Sequence, residues 1–358
     1  MPKINPRNER IKREYFEFLR QADQKAETTV RSIERALIRF EEHTGFADFA
    51  SFNRSQAIDF RASVAKTGVG SKSLRKATVL TTLKVIQRFL RWLSLQPSMR
   101  SHIREVDIAY LNMSEKDVRA AGASPTRAFP TLEQLKHVLS TIPATNQIEK
   151  RDRAVFALLM LTGIRDNAAA SLRLRHVDLQ RQVIIQDPKT VRTKNSKLIE
   201  SVLLPLGEEV EWAFTEWIGL LKDQLGYGPD DPVFPQTRTR IDTELGPVAD
   251  GLKPEVWSSA APIRELFRRA FRRAGLPHFS PHRVRHSIVE YAYRSCRTPE
   301  EFKAFSQNLG HASITTTLAS YGTIPLSRQR ELIRSASQNR DETEKLDRIL
   351  ALIEGGRA

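Results

Sequence analysis

The stretch Ser280-Pro281-His282-Arg283-Val284-Arg285-His286 decides how the chain is interpreted. Serine is a common helix N-cap, and proline suits the first helical position, so a helix is predicted to begin here. His282 and Arg285 then lie three residues apart on one helical face. The N–H groups and the dipole of a helix N-terminus favour an anion. The stretch therefore predicts an anion site suited to phosphate.

Two simpler interpretations compete with this one. His282 and His286 have the i, i+4 spacing of a helical metal pair, but the glutamate expected with it is absent. Arg283 and Arg285 would also repel a cation. A solvated basic helix is the other alternative, and the rest of the sequence has to separate it from a phosphate site.

The composition predicts a basic globular protein of about two domains. The chain has 358 residues, a formal charge of +15 and a pI near 10.1, which suits a nucleic-acid backbone. A ribosome-like or membrane-surface role would fit the charge equally well. Cys296 is the only cysteine, so no intrachain disulfide is possible. Without an apolar run of ~18 residues, a cytoplasmic, nucleoid-associated protein without a membrane segment is expected.

Residues 1–119 are predicted to form a helical DNA-binding domain, with helices near 10–22, 27–42, 54–65 and 72–95. The span 60–104 holds ten Lys or Arg and no Asp or Glu. Solvated faces normally mix both signs, so this field indicates phosphate contacts. The candidate DNA-binding residues are Lys72, Arg75, Lys76, Lys84, Arg88 and Arg91.

A linker is predicted at 120–130, and a second domain at 131–334 that opens with a Thr131/Gln134 capping box. Strands around 183–185 and 198–206 enclose a lysine-rich hairpin tip. A helix is expected over 207–224, an irregular segment to about 254, and helices over 261–274 and 299–308. The tail 335–358 carries an apolar stripe at helical spacing, formed by Leu346, Ile349, Leu350 and Ile353.

One set of side chains could break a phosphodiester without metal or ATP: Arg165, a hairpin lysine, His282, Arg285, His311 and Tyr321. Two arginines can neutralise the charge of the transition state. A tyrosine can attack phosphorus if a histidine helps to remove its proton, and a lysine can protonate the leaving oxygen. A covalent phosphotyrosine would retain the bond energy, so no cofactor is expected.

The chain resembles the tyrosine recombinase (phage integrase-like) family. The resemblance lies in Thr162-Gly163-Ile164-Arg165, Pro188-Lys189-Thr190, the 281–286 stretch, Leu309-Gly310-His311 and Tyr321, in family order. It implies a mainly α fold with a small antiparallel β-sheet. A helical core-binding domain would precede a mixed α/β catalytic domain.

The resemblance also implies a role for each residue. Arg165 and Arg285 would hold the scissile phosphate, His282 would act on the proton of the nucleophile or on a phosphate oxygen, and His311 would hydrogen-bond the phosphate. Tyr321 would be the nucleophile. Lys189 would be the general acid, with Lys194 and Lys197 as alternatives on the same hairpin tip.

Two positions depart from the family pattern. Ala168 replaces the usual acidic residue three positions after the first arginine, although Asp166 lies one position after it. Tyr321 is ten residues from His311, one more than the commoner spacing, so its helix is expected to start or bend differently.

The leading functional hypothesis is a site-specific DNA recombinase acting through a covalent 3′-phosphotyrosyl intermediate. A homotetramer on synapsed double-stranded DNA is expected, with the C-terminal helix exchanged between protomers. The alternatives are a type IB topoisomerase acting as a monomer and a DNA-binding relative that has lost catalysis. The short segment before residue 10 favours a simple recombinase over an integrase with arm sites.

Overall fold

The computed structural model describes residues 4–66, 74–122, 128–193, 197–242, 246–311, 313–321, 329–331 and 333–334, with the backbone alone at 319–321. The chain divides into two compact units, Met1–Pro125 and Thr126–Ala358. This division falls inside the range predicted as the linker, although a helix continues to Gly122. The predicted site residues Lys72 and Lys194, and the tail 335–358, lie outside the described residues.

Unit 1 is helical. Its helices are α1 (Pro6–Gln21), α2 (Glu27–His43), α3 (Arg54–Lys66), α4 (Lys76–Ser94), α5 (Glu105–Ile108) and α6 (Glu115–Gly122). The apolar stripe of α4 is buried in the core of the unit, with Leu83, Ile86 and Leu90 at 1% exposure or less. The opposite face of α4 carries Lys84 and Arg88 toward solvent. The sequence periodicity therefore assigned the two faces of α4 correctly.

Unit 2 combines helices with two small antiparallel sheets. Its helices are α7 (Leu132–Thr141), α8 (Gln147–Thr162), α9 (Asp166–Ala169), α10 (Glu208–Gly219), α11 (Ala261–Arg273), α12 (Pro281–Ser295), α13 (Pro299–Asn308) and α14 (Ile314–Tyr321). The predicted capping box starts α7: the Thr131 hydroxyl accepts from Gln134 N–H at 3.1 Å, and Gln134 Oε1 accepts from Thr131 N–H at 2.9 Å. The mainly α fold with small antiparallel sheets is confirmed.

Helix α8 forms the centre of unit 2. Its residues from 154 to 162 are all buried, and Phe156 stacks on Phe267 of α11 with ring centroids 4.6 Å apart. A helix surrounded on all sides by apolar neighbours is a core element. Because the core fixes its carboxyl end, the segment 163–165 that follows is held in place.

The first sheet has three antiparallel strands in the order β1 (Val177–Asp178), β2 (Val183–Gln186) and β3 (Ile199–Val202). Strand β3 is shorter than predicted because Leu204 N–H donates to the carbonyl of Leu161, at 2.7 Å, and the chain leaves the sheet. The β2–β3 connection carries Lys189.

The segment predicted to be irregular is instead a two-stranded antiparallel ribbon, β4 (Pro235–Asp242) and β5 (Gly246–Val256). Its register shifts between Pro235/Gln236 and between Thr237/Thr239. Most of its residues are exposed or only partly buried, so the alternation of apolar and polar residues that marks a half-buried strand is missing. The prediction was wrong for that reason. Within the described part of the chain, no helix has the length and apolarity to cross a membrane.

Candidate active site

Helix α12 begins where the sequence predicted. Ser280 is the N-cap residue in an extended conformation, and Pro281 is the first helical residue. The Ser280 side chain makes no capping hydrogen bond, contrary to its expected role; its backbone carbonyl accepts from Arg283 N–H instead, at 2.8 Å. His282 and Arg285 therefore occupy the first turns of the helix.

Arg285 is a buried cation held by backbone carbonyls. Its side chain donates to the carbonyl of Gly163 and, at 2.6 Å, to that of Leu309. It is 5% exposed. Burial, and then the charge of Arg165, lowers its pKa to about 9, so the guanidinium stays charged at neutral pH.

Arg165 lies just after the carboxyl end of α8. Gly163 caps α8 with a left-handed φ of 61°, and Arg165 then precedes α9. Arg165 is partly buried, and burial lowers its pKa. Asp166 does not support it, because Asp166 Oδ2 accepts from Arg264 Nε at 2.7 Å. Among the described residues, no carboxylate pairs with Arg165 or Arg285, which leaves two neighbouring positive charges without a counterion.

Gly163 brings the chain segments of the site into close contact. A Cβ atom on Gly163 would stand 2.5 Å from Leu309 Cδ2 and 2.9 Å from Ile288 Cδ1. Together with its positive φ, this contact requires glycine. The segment 163–165 therefore packs directly on α12 and on the 309–311 loop.

His311 lies in hydrogen-bond contact with Arg285. Its Nε2 atom is 3.1 Å from Arg285 Nη2, and its Nδ1 atom is 2.6 Å from Thr317 Oγ1. Burial, followed by the charge of Arg285, lowers the pKa of His311 to about 4. The ring is therefore neutral at pH 7.

His282 remains exposed to solvent, and its ring meets the ring of His286 edge-on, with centroids 5.6 Å apart. Partial loss of hydration, and then the charge of Arg285, lowers its pKa to about 4. Water screens this shift more at His282 than at His311, which is less exposed. A neutral His282 has one unprotonated ring nitrogen, which can accept a proton. In the described part of the chain, no group of three or more His, Cys, Asp or Glu has an arrangement that could hold a metal ion.

Lys189 occupies a turn at the start of the β2–β3 connection, and its side chain is exposed. Its N–H donates to Asp187 Oδ1 at 2.9 Å. None of its described contacts joins it to Arg165, Arg285 or the histidines. Lys197, one of its two alternatives, is also exposed.

The sequence interpretation missed the residue that anchors this turn. Buried His176 accepts from Arg173 N–H through Nδ1 at 2.9 Å, so its Nε2 carries the proton that is donated to Thr190 Oγ1, also at 2.9 Å. Its position shortly before β2 was the only sequence signal available. His176 thus fixes the residue next to Lys189.

Tyr321 is the last residue of α14, the short helix that follows His311. Its side chain lies outside the described atoms. Tyr291 and Tyr293 both face α13: Tyr291 packs edge-on against Phe305, and the Tyr293 ring centroid is 4.6 Å from that of Phe302. Tyr15 is fully buried in unit 1, and burial raises its pKa to about 12.

The basic face of unit 1 is less uniform in space than in sequence. Arg88 pairs with Asp23, Arg91 Nη2 lies 2.7 Å from Glu105 Oε1, and Lys76 Nζ lies 2.5 Å from Asp117 Oδ1. Carboxylates from outside the span 60–104 therefore neutralise part of the one-sign field seen in the sequence, and the predicted phosphate contacts stay a prediction. Lys84 and Arg75 are exposed and appear in none of these pairs.

Comparison with known proteins concerns the family and the fold. Residues 129–324, more than half of the chain, match the family described as "Phage integrase family". The chain is 26% identical over 285 residues to tyrosine recombinase XerC of Xylella fastidiosa (strain 9a5c), covering 79% of this chain and 80% of that protein. It is 25% identical over 311 residues to XerC of Pseudomonas putida (strain W619), covering 85% and 88%.

Two solved structures share the fold. One is a lambda integrase dimer bound to a COC′ core site, with a TM-score of 0.60 and 13% identity over 89% of this chain and 99% of that one. The other is the Tn1549 transposon integrase in complex with transposon right end DNA, with a TM-score of 0.60 and 18% identity over 91% and 99%. At these identities the similarity concerns the fold.

Proposed function

Because the chain belongs to the phage integrase family of tyrosine-type recombinases, we propose that it cuts and rejoins duplex DNA at specific sites through a covalent 3′-phosphotyrosyl intermediate. The observation that carries this proposal is the neighbouring pair Arg165 and Arg285. Arg285 is buried, Arg165 is partly buried, and no described carboxylate neutralises either. A buried cation without a counterion is unfavourable unless a ligand supplies the charge. A phosphodiester is that ligand.

The residues provide each proton and charge that strand cleavage needs. Tyr321 Oη would attack phosphorus while neutral His282 accepts its proton. The Oη–P bond forms and the P–O5′ bond breaks, which leaves a 3′-phosphotyrosine and a 5′ hydroxyl. Lys189 would protonate the departing O5′, with Lys194 and Lys197 as the alternatives. The arginines stabilise the charge that develops on the phosphate oxygens.

Rejoining reverses these steps with a 5′ hydroxyl from the partner strand. The phosphotyrosyl bond conserves the energy of the phosphodiester, so the proposed reaction needs neither ATP nor a metal. His311 would donate a hydrogen bond to a non-bridging phosphate oxygen. The basic residues of unit 1 would hold the DNA backbone, and four protomers would assemble on synapsed DNA.

A trapping experiment tests the proposal. DNA that the protein binds in cells is first mapped genome-wide, and a nicked duplex of the mapped site is then used in vitro. We expect the wild-type protein to form an adduct and Tyr321→Phe to bind the same duplex without forming one. Tyr291→Phe and Tyr293→Phe are matched controls that should retain the adduct. An adduct that survives in Tyr321→Phe would contradict the assignment of the nucleophile.

The mapped duplex and the same variants also distinguish a recombinase from a type IB topoisomerase and from a catalytically silent relative. A type IB topoisomerase would relax a supercoiled plasmid that lacks the mapped site, whereas a recombinase should act only when the site is present. A catalytically silent relative would bind the site and give no adduct with any variant.

A further inference from the structure

Two buried hydroxyl groups continue the hydrogen-bond chain beyond His311. Thr317 Oγ1 is 2.6 Å from His311 Nδ1 and donates to Ser306 Oγ at 2.7 Å. Thr317 is 0% exposed and Ser306 is 2% exposed. One continuous series of hydrogen bonds therefore links Arg285, His311, Thr317 and Ser306. Its inner part, at Thr317 and Ser306, is shielded from water.

In the free protein these hydrogen bonds all run in one direction, with each group donating to the next from Arg285 to Ser306. Arg285 Nη2 can only donate, so His311 Nε2 accepts its hydrogen bond at 3.1 Å and carries no proton. A neutral imidazole then has its proton on Nδ1, and Nδ1–H donates to Thr317 Oγ1. Thr317 in turn donates to Ser306, which agrees with the direction of that bond.

This polarity is incompatible with the role proposed above for His311. A ring that donates to a phosphate oxygen through Nε2 must carry its proton there. We propose that Thr317 and Ser306 form a hydroxyl relay that holds His311 as the Nδ1–H tautomer in the free protein and as the Nε2–H tautomer when a phosphate occupies the site. The second half of this inference rests on the proposed function, and Thr317 is a positioning residue.

The reversal needs rotation of the hydroxyl groups, a transient turn of the His311 ring toward water and exchange of one ring proton. An entering phosphate oxygen replaces His311 as the acceptor of the Arg285 N–H. A proton from solvent adds to Nε2, and the Nδ1 proton leaves to solvent when the partly exposed ring turns away from Thr317 transiently, so that the charge of His311 is unchanged. The Thr317 O–H turns from Ser306 to Nδ1, and Ser306 can donate to Thr317 Oγ1. The Thr317 hydroxyl satisfies Nδ1 in both states, as acceptor in the free protein and as donor when phosphate is bound, so no water is needed there.

The relay also reaches the helix of the nucleophile. Thr317 lies four residues, about one helical turn, before Tyr321, the last residue of α14. The hydroxyl that sets the His311 tautomer is therefore one turn from the end of the helix that carries Tyr321.

The first test uses nitrogen-15 NMR of histidine-labelled full-length protein without DNA. The His311 signals are assigned by their loss in His311→Gln. We expect the Nδ1–H tautomer in the wild-type protein. Ser306→Ala removes the acceptor for Thr317, whose O–H should then compete for Nδ1 and raise the share of the Nε2–H tautomer, although the Arg285 N–H still favours Nδ1–H. A wild-type Nε2–H ring, or a Ser306→Ala ring with the wild-type tautomer ratio, would overturn the relay.

The second test adds the mapped duplex to Tyr321→Phe, with binding verified by mobility shift. The His311 proton should move to Nε2 in this complex. A complex in which the duplex is bound and the ring remains Nδ1–H rejects the switch, even if the wild-type protein forms the covalent adduct. If no variant forms an adduct, the proposed function fails while the free-protein experiment still decides the polarity of the relay.

Single-turnover cleavage supplies the third test. Thr317→Val leaves Nδ1 without a donor and should slow adduct formation by about tenfold or more, the loss of one hydrogen bond, at unchanged DNA affinity. Thr317→Ser should restore the rate. Thr315→Val, an exposed position on the same helix, is the matched control. Equal rates for Thr317→Val and Thr317→Ser would reject the relay, and melting curves verify that each variant folds.

Discussion

Gly310 lies against Ile199, a residue of β3 that is distant in sequence. A Cβ atom on Gly310 would stand 2.5 Å from Ile199 Cδ1 and 3.0 Å from its Cγ1. Gly310 also has a φ of 67°. Because Gly310 precedes His311 and β3 ends the Lys189 hairpin, this contact joins two parts of the candidate active site.

Gly310→Ala should destabilise unit 2 and slow cleavage. The clash is expected to lower the free energy of unfolding by about 1–3 kcal/mol beyond the strain of the positive φ. Gly275→Ala measures that strain alone, because Gly275 has a φ of 67° and open space around it. Urea unfolding compares the two variants. Ile199→Val removes the nearest atom and should partly rescue Gly310→Ala; no rescue would mean that the contact is not responsible.

Arg285 should be needed for cleavage and unfavourable for stability. Arg285→Lys keeps the charge but cannot reach both carbonyls, and adduct formation should fall roughly 10²-fold or more. Arg285→Met removes the buried charge and should unfold at a higher urea concentration than Arg285→Lys. The free energy of unfolding should be higher in the Met variant by about 1 kcal/mol or more. A Lys variant that is as stable as the Met variant would show that the charge is well compensated in the free protein.

Acid should destabilise the folded protein through His282 and His311. An unfolded histidine binds its proton near pH 6.5, whereas partial loss of hydration, and then the positive surroundings, lower the pKa of both residues to about 4. Between these pH values the unfolded state binds more protons, so the free energy of unfolding falls as the pH falls from 6.5 to 4. Urea unfolding at several pH values measures the slope. The slope should be smaller in His311→Gln, and an unchanged slope would contradict the lowered pKa.

Removing a carboxylate from the basic face of unit 1 should strengthen DNA binding. Asp23 pairs with Arg88, so Asp23→Asn frees that guanidinium for phosphate. Asp59→Asn is the control, since it makes the same charge change at an exposed residue of α3. Asp59 accepts a hydrogen bond from the Ser55 hydroxyl and pairs with none of the basic residues named above. We expect a steeper salt dependence of binding for Asp23→Asn alone, by up to about one unit. An equal change in salt dependence for both variants would mean that only the net charge of the protein matters, and not the release of Arg88.

The tail is predicted to act in assembly. Its apolar stripe, Leu346, Ile349, Leu350 and Ile353, follows a polar segment and would dock on a neighbouring protomer when DNA is synapsed. Truncation after Arg334 should leave DNA binding intact and impair recombination. Normal recombination by the truncated protein would exclude this role.

The sequence predicted the local structure around the candidate site residues better than it predicted the side-chain contacts between them. The i, i+3 spacing of His282 and Arg285 follows from helical geometry, so the start of α12 was predictable. The contacts of His311 with Thr317 and of Thr190 with His176 were not, because threonine and serine are common and carry no distinctive spacing. The pairing of Arg88 with Asp23 joins residues 65 positions apart and could not be deduced from charge along the chain.

The glycine contacts were likewise beyond sequence reasoning. A glycine predicts a turn or a close approach, but it does not identify the neighbour. Ile199 of β3 contacts Gly310, and Leu309 contacts Gly163, across long stretches of sequence. The strand order and the burial of α8 had to be known first.

Strand β3 is an edge strand of its sheet, and the side chain of Asn308 covers that edge. Val202 N–H donates to Asn308 Oδ1 at 2.6 Å, and Asn308 Nδ2 donates to the Val202 carbonyl at 3.1 Å. The amide thus takes both backbone groups that another strand would need. Exposed strand edges are templates for unwanted pairing between chains. A second molecule cannot extend the three-stranded sheet at Val202 without displacing Asn308, which protects the protein against edge-to-edge aggregation there.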